Sequence, residues 1–236
     1  MPPMIITIDG TSGSGKTTAA AGLARRLHAW HLDTGAMYRA LTLKALQAGV
    51  DLEDPQALAA MAEGTDIELD GDPGALRVRL DGRDVTEAIR ENRVSTHSHY
   101  LARTPEVRRV LVARQREFAA RAGRIVTEGR DQGTAVFPDA DVKFFLDADP
   151  EVRARRRQLE LQSRGEYKSF REVLEEIRER DRRDATRAAD PLKPAENAVR
   201  VDTTDTTIDE TLETLLAEVR RRVPSARAAP GGKEAT

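Results

Sequence analysis

The chain has 236 residues, 39% apolar and 33% charged, with a formal net charge of −2. This length suits one well-buried core with a sizeable insertion, and the composition is that of a soluble globular protein. The charge balance gives no reason to expect nucleic acid or a membrane as partner, and the lack of cysteine excludes disulfides, thiolate metal sites and thiol nucleophiles.

No apolar run approaches the ~20 residues of a bilayer span. Met4 to Ile8 is too short for a signal peptide and lacks its basic flank, so a cytoplasmic protein is expected. That β-branched run predicts a strand stopped by Asp9-Gly10, and Ala20, Leu23, Ala24 and Leu27 have helical spacing from Lys16 onward. Further helices are expected from Ala36 to about Ala48, ended by Gly49, and from Pro55 to Glu63. Ile67, Leu69, Leu76, Val78 and Leu80 alternate around Gly71-Asp72-Pro73-Gly74, which predicts a hairpin with one solvated face.

From Asp81-Gly82 to Arg124 the chain is polar and helix-prone, with Pro105 as a first-turn residue and Val107, Val110 and Leu111 on one face. Ile125 to Thr127 and Val142 to Leu146 are continuous enough for buried parallel strands, and Asn197 to Asp202 is a last strand candidate. Glu151 to Gln162 and Phe170 to Arg187 predict two helices, the second opened by a Ser169/Glu172 capping box. Ile208 to Val223 predicts a closing amphipathic helix, and Pro224 to Thr236 is expected to be a disordered tail.

The segment Gly10-Thr11-Ser12-Gly13-Ser14-Gly15-Lys16-Thr17-Thr18 sits between the first strand and first helix and matches the P-loop pattern. Its glycines let backbone N–H groups converge on phosphate oxygens, the helix N-terminus adds a favourable dipole, Lys16 reaches the β- and γ-phosphates, and Thr17 can hold Mg²⁺. The cradle alone does not name a reaction.

Acceptor chemistry is suggested by arginines. Leu32 to Arg39 places Asp33 or Thr34 at a helix entrance with Arg39 about one turn inside. Glu128-Gly129-Arg130-Asp131 follows a predicted buried strand, so Arg130 and Asp131 emerge where open α/β sheets bind ligands. On the helix from Phe170, the face of Val173 and Ile177 continues into Arg180, Asp184 and Arg187. Transfer between two phosphates gathers several negative groups and calls for bidentate cations on each.

These motifs, in this order, resemble the bacterial cytidylate kinases, a branch of the nucleoside monophosphate kinases. The resemblance runs through Ile8-Asp9-Gly10, Leu32 to Arg39, Asp81 to Thr86 with Ile89-Arg90, Glu128 to Thr134, Phe137 to Ala140, Phe144 to Ala148, Arg180-Asp181, Arg187, Pro191-Leu192 and Val201 to Thr204. It implies an α/β P-loop fold of three layers with a central parallel sheet, a core of residues 1–64 and 101–223, an inserted monophosphate-binding domain at 65–100, and a helical lid at about 153–169. It also implies transfer of the γ-phosphate from ATP with Mg²⁺ to CMP or dCMP, by a monomer. By position, Thr34, Arg39, Arg108, Arg130, Asp131 and Arg187 would hold the monophosphate or its cytosine, with Asp184 near the sugar. Lys16, Arg130, Arg156, Arg180 and Arg187 would act on the phosphates.

Some positions depart from the family pattern. Thr11 stands where proline is common, Thr17 where glycine or serine is common, and Gln132 replaces a usual apolar residue. His99 lies near a position where a serine commonly contacts cytosine: Ser98 could take that contact, His99 could bond the base, or His99 could be a surface residue. A kinase for UMP or dTMP is the nearest rival. A nucleotide-sensing switch would want a guanine-reading Asn-Lys-x-Asp element, which the chain lacks.

Overall fold

The computed structural model describes residues 2–70 and 76–224. Strand β1 (Met4–Gly10) ends in the glycine loop, which opens α1 (Lys16–Arg26). It lies at the centre of a five-stranded sheet with β2 (Trp30–Asp33), β6 (Arg124–Gly129), β7 (Val142–Asp147) and β8 (Val199–Asp202), in the order β2-β6-β1-β7-β8. All four pairings are parallel. Connections diverge to either side of β1, so its carboxyl end is where a crevice opens in a sheet of this kind.

Burial explains why β1 and β6 read as continuous apolar runs. On one face Ile6, Ile8 and Leu146 pack on Leu23 of α1 and on Leu215 and Val219 of α8 (Ile208–Arg222). Each fully buried leucine here contributes about 1.5–3 kcal/mol. On the other face Ile125, Val136 and Phe137 pack on Ala119 of α5 (Pro105–Ala122). A third cluster joins Leu32 to Met37 and Leu41 of α2 (Thr34–Ala48), Leu58 of α3 (Pro55–Glu63), Leu101 of α4 (Asn92–Arg103) and Leu111.

The predicted hairpin is a separate antiparallel sheet of β3 (Ile67–Asp70), β4 (Arg77–Leu80) and β5 (Arg83–Asp84), with Ile67 opposite Leu80. Val78 and Leu80 bury against Ala36, Ala40 and Leu43, which seats this sheet on α2. Its Gly71-Asp72-Pro73-Gly74 turn and tail residues 225–236 lie outside the described residues. α6 (Pro150–Ser163) and α7 (Phe170–Thr186) form a helical hairpin around Ala154, Leu161, Val173 and Ile177. The Ser169/Glu172 capping box is present.

Several boundaries differ from the sequence-based expectations. Trp30–Asp33 is a strand, and α2 begins at Thr34 with Asp33 as its N-cap, the carboxylate accepting from Ala36 N. α7 ends at Thr186, so Arg187 leaves the helix in an extended conformation rather than continuing its inward face. Among the described residues no helix is long and apolar enough to cross a membrane.

Gln132 also acquires a physical account. It opens a single π-helical turn, Gln132–Val136, and its buried amide accepts from Thr127 Oγ1 at 2.8 Å and donates to Gln115 Oε1 at 3.2 Å. A polar side chain is tolerated there because both ends of the amide are bonded.

Candidate active site

The turn from β1 into α1 requires glycine at its first position. Gly10 has φ +145°, and a Cβ there would lie 1.9 Å from Leu146 O on the neighbouring strand. Left-handed Gly15 precedes α1, and no described side chain caps this helix. Its first N–H groups therefore have no intrahelical or side-chain partner, which is the arrangement that anions satisfy. Lys16 is buried and its ammonium folds back to donate to Thr11 O. Burial, then the charge of Arg130, pull the Lys16 pKa down to about 7.

The loop rests on a floor of carboxylates. Asp9, at the end of β1, accepts from Gln132 N at 2.8 Å and Gly133 N at 2.7 Å. Burial nonetheless raises its pKa to about 6. Glu128, at the end of β6, accepts from Thr17 Oγ1 at 3.0 Å, and its other oxygen lies 3.3 Å from His31 Nε2 of β2. Burial disfavours the imidazolium, but Glu128 outweighs it and raises the His31 pKa. Among the described residues no group of three or more His, Cys, Asp or Glu could hold a metal. Thr17 is exposed at the start of α1, and a hydroxyl at that place suits Mg²⁺, which takes most of its ligands from phosphates and water.

Opposite the loop, two groups of side chains bring β6, α2, α5 and α7 together. In the first, Arg130 Nε donates to Asp184 Oδ2 at 2.7 Å, with Arg180 on the same helix. The Arg180 guanidinium makes no hydrogen bond or ion pair among the described residues, and burial followed by Arg130 lowers its pKa to about 10. Burial alone would raise the Asp184 pKa, but Arg130 and Arg180 hold it below the usual carboxylate range. Arg39 reaches back to Asp33 Oδ2 at 2.9 Å, over the N-terminus of α2.

In the second group, buried Arg108 of α5 pairs with buried Asp131 and also donates to Asp190 Oδ2 at 2.6 Å and Tyr38 OH at 3.3 Å. Arg187 approaches Asp131 Oδ2 at 3.4 Å and donates through Nε to Asp190 O at 2.7 Å. Burial lowers the Arg187 pKa, and Asp131 opposes the shift.

The cytidylate kinase family model matches residues 6–221, which span the loop, both arginine groups and the α6–α7 hairpin. The chain belongs to the cytidylate kinase family. It is 47% identical over 219 residues to the cytidylate kinase of Rhodococcus opacus (strain B4), covering 93% of this chain and 96% of that protein. It is 48% identical to the cytidylate kinase of Stutzerimonas stutzeri (strain A1501), covering 94% and 97%, and 46% identical to that of Aeromonas salmonicida (strain A449), covering 97% and 100%.

Within this cytidylate kinase fold, the side chains of four sequence-derived candidates, Arg156, Thr34, His99 and Ser98, bond outside the two groups. Arg156 is turned toward the end of β8, with Nη2 donating to Thr203 O at 2.6 Å. Thr34 is buried and commits its hydroxyl to Glu128 O at 2.7 Å. His99 is half-buried on α4, with Nδ1 2.8 Å from Thr96 O and its ring 4.1 Å from that of Tyr100. Burial lowers its pKa, with the Thr96 carbonyl opposing. Ser98 donates to Ser95 O at 2.9 Å.

Three neighbours of these side chains were given no role by the sequence, although Tyr38 lies within the Leu32 to Arg39 stretch. His31 lies in a four-residue edge strand, Tyr38 faces Arg108 from a sequence distance of seventy residues, and Asp190 follows α7 in a loop. Only the fold brings them to the site.

Proposed function

We propose that the chain transfers the γ-phosphoryl group of ATP to CMP or dCMP, giving ADP and CDP or dCDP. The observation that carries this reading, beside family membership, is the crowding of cations. Lys16 and Arg180 are both buried beside Arg130, whose charge adds to burial in lowering the pKa of each, while Asp184 holds Arg130 itself charged through their 2.7 Å pair. Cations held so near one another, with Asp184 as the carboxylate between them, fit a site that receives several phosphates.

Lys16 and the start of α1 would hold the donor phosphates, and Thr17 with the phosphates would hold Mg²⁺. Held there, Mg²⁺ would supply Lewis-acid charge neutralisation to the donor phosphates. Arg130 and Arg180 would neutralise the transferring group, with Asp184 fixing the direction of the Arg130 fork. Arg39 and Arg187 would hold the acceptor phosphate, and Arg108 with Asp131 would present paired donors and acceptors to the pyrimidine. A monophosphate has a second pKa of about 6, so its attacking oxygen is already ionised near neutrality and needs no general base. As its bond to the γ-phosphorus forms, the bond to the β–γ bridging oxygen breaks and ADP leaves.

Catalysis is then positioning and charge neutralisation. The lid at about 153–169 would close over ATP and limit hydrolysis by excluding water. Arg156 would take part in this scheme by leaving Thr203 as the lid moves. The small-molecule nucleotides are the only partners the reading requires, and it suits a cytoplasmic monomer.

Steady-state kinetics with CMP, dCMP, UMP and dTMP at fixed ATP test the reading. The expected result is a higher kcat/KM for CMP or dCMP. A comparable or higher value for UMP or dTMP would overturn it in favour of another pyrimidine monophosphate kinase.

A further inference from the structure

Asp190 is bonded to both arginines of the second group. Its carboxylate accepts from Arg108 Nη2 at 2.6 Å and from Nε at 3.2 Å, while its backbone carbonyl accepts from Arg187 Nε at 2.7 Å and also from Nη2. With Asp131 on Nη2 and Tyr38 OH on Nη1, the Arg108 donors are already shared among three side chains of the protein itself.

The two carboxylates on Arg108 differ in how firmly they are held. The Asp131 side chain is 8% exposed and stands at the end of β6, where the buried π-helical turn begins. Asp190 has a side chain 43% exposed, and it sits in the loop after α7. Its φ is +47°, a left-handed conformation that disfavours most residues with a Cβ and that Asp and Asn tolerate best. A half-exposed carboxylate on a guanidinium is the partner that water or another anion replaces at least cost.

Charge leads to the same conclusion. Arg108 and Arg187 bring two positive charges, and Asp131 and Asp190 bring two negative ones, so Asp190 completes the neutralisation of this edge. Any ligand that presents an electron-rich oxygen or ring nitrogen to Arg108 meets a carboxylate already in place.

We propose that Asp190 is an internal competitor for the acceptor nucleotide: its carboxylate holds Arg108 until the polar edge of the pyrimidine ring displaces it. The inference rests on the acceptor reading given above. A residue in this role weakens acceptor binding by the fraction of time that it occupies Arg108, without touching the reacting atoms. It therefore raises KM while leaving the chemical step alone, which also speeds release of the diphosphate product from the same arginines.

The test is Asp190→Asn, which keeps the shape of the side chain and its tolerance of positive φ but removes the charge. Asp190→Gly, which suits the same backbone conformation, is the second variant. Calorimetric titration of CMP without ATP, and kcat and KM at saturating ATP and Mg²⁺, are measured for both variants and wild type. The expected result is a CMP Kd and KM about tenfold lower, moving together, with kcat within about twofold. Unchanged or weaker CMP binding in both variants would overturn the proposal and make Asp190 a support that orders Arg108 for the ligand. Wild-type turnover separates the two levels of inference. If the wild type prefers another monophosphate, the acceptor reading fails and the same comparison is made with that nucleotide; if it binds none, the Asp190 proposal falls as well.

Discussion

Arg130 and Asp184 join the carboxyl end of β6 to α7 through a 2.7 Å ion pair in which both side chains are mostly buried. The pair supplies the carboxylate between the crowded cations, so removing its charge exposes their repulsion. Asp184→Asn is expected to lower kcat/KM for CMP by about 10- to 100-fold, with ATP affinity in the absence of acceptor within about twofold.

The same variant has a signature in acid. Asp184 is held below the usual carboxylate range, so its contribution to stability is present above the unfolded-state pKa of about 3.9 and is lost as pH falls through the lower folded value. Urea denaturation should show wild type more stable than Asp184→Asn by about 1.5–3 kcal/mol at pH 7. The gap should narrow progressively as pH falls below about 3.9; a gap that stays constant through acid contradicts the ionic origin.

Lys16, with a pKa of about 7, is mostly neutral at pH 8 when no phosphate is near. Donor phosphates favour the ammonium, so ATP binding at pH 8 is expected to take up about one proton, falling toward zero by pH 6. Calorimetry in buffers of differing ionisation enthalpy reads this directly, and Lys16→Gln should abolish the difference. For the protein alone the sign is opposite to that of a paired lysine. The unfolded chain binds a proton between about pH 7 and 10.4 that the folded one does not, so this group makes the fold more stable as pH rises through that range.

Gly35 separates stability from function. A Cβ there would lie 2.9 Å from Arg39 Nη1 and 3.1 Å from Asp33 Oδ1. Because the first of these is the end of a flexible side chain, Arg39 can move aside cheaply, and alanine improves helix propensity by up to about 1 kcal/mol. Gly35→Ala is expected to leave Tm unchanged or slightly higher while raising the KM for CMP several-fold. An unchanged KM would mean that the seat of Arg39 on Asp33 is not used by the acceptor.

The parts of this molecule legible in the sequence are those with local causes. β1, the glycine loop and α1 are adjacent in the chain, and the pattern of Ile6, Ile8, Leu23 and Leu27 follows directly from burial in one cluster. The Ser169/Glu172 box marks the start of α7 because both of its bonds span three residues. β2 was not legible because it is four residues long and exists through its pairing with β6, Trp30 to Asp33 opposite Ile125 to Glu128. β5 has two residues and depends likewise on β4. In the site, Arg130 and Asp131 could be placed from the strand that precedes them. The division of arginines into one group on Asp184 and another on Asp131 and Asp190 depends on how α5 and α7 meet, which no spacing within either helix encodes.

Arg153 gives the α6–α7 hairpin a fulcrum. Buried in the first turn of α6, it donates to Ser12 O at 3.1 Å and Ala148 O at 2.8 Å and pairs with Asp181 at 2.7 Å, so glycine loop, helix start and α7 meet at one guanidinium. A swing of the hairpin that keeps these bonds is a rotation about that point. From Arg153 to its end at Ser163, α6 is a lever roughly 15 Å long at ~1.5 Å per residue, so a tilt of about 10° would carry its far end roughly 2–3 Å while Ser12 barely moves. The exposed Tyr167, in the connection beyond that end, would travel with the tip of such a lever, while the phosphate cradle would stay anchored at the pivot.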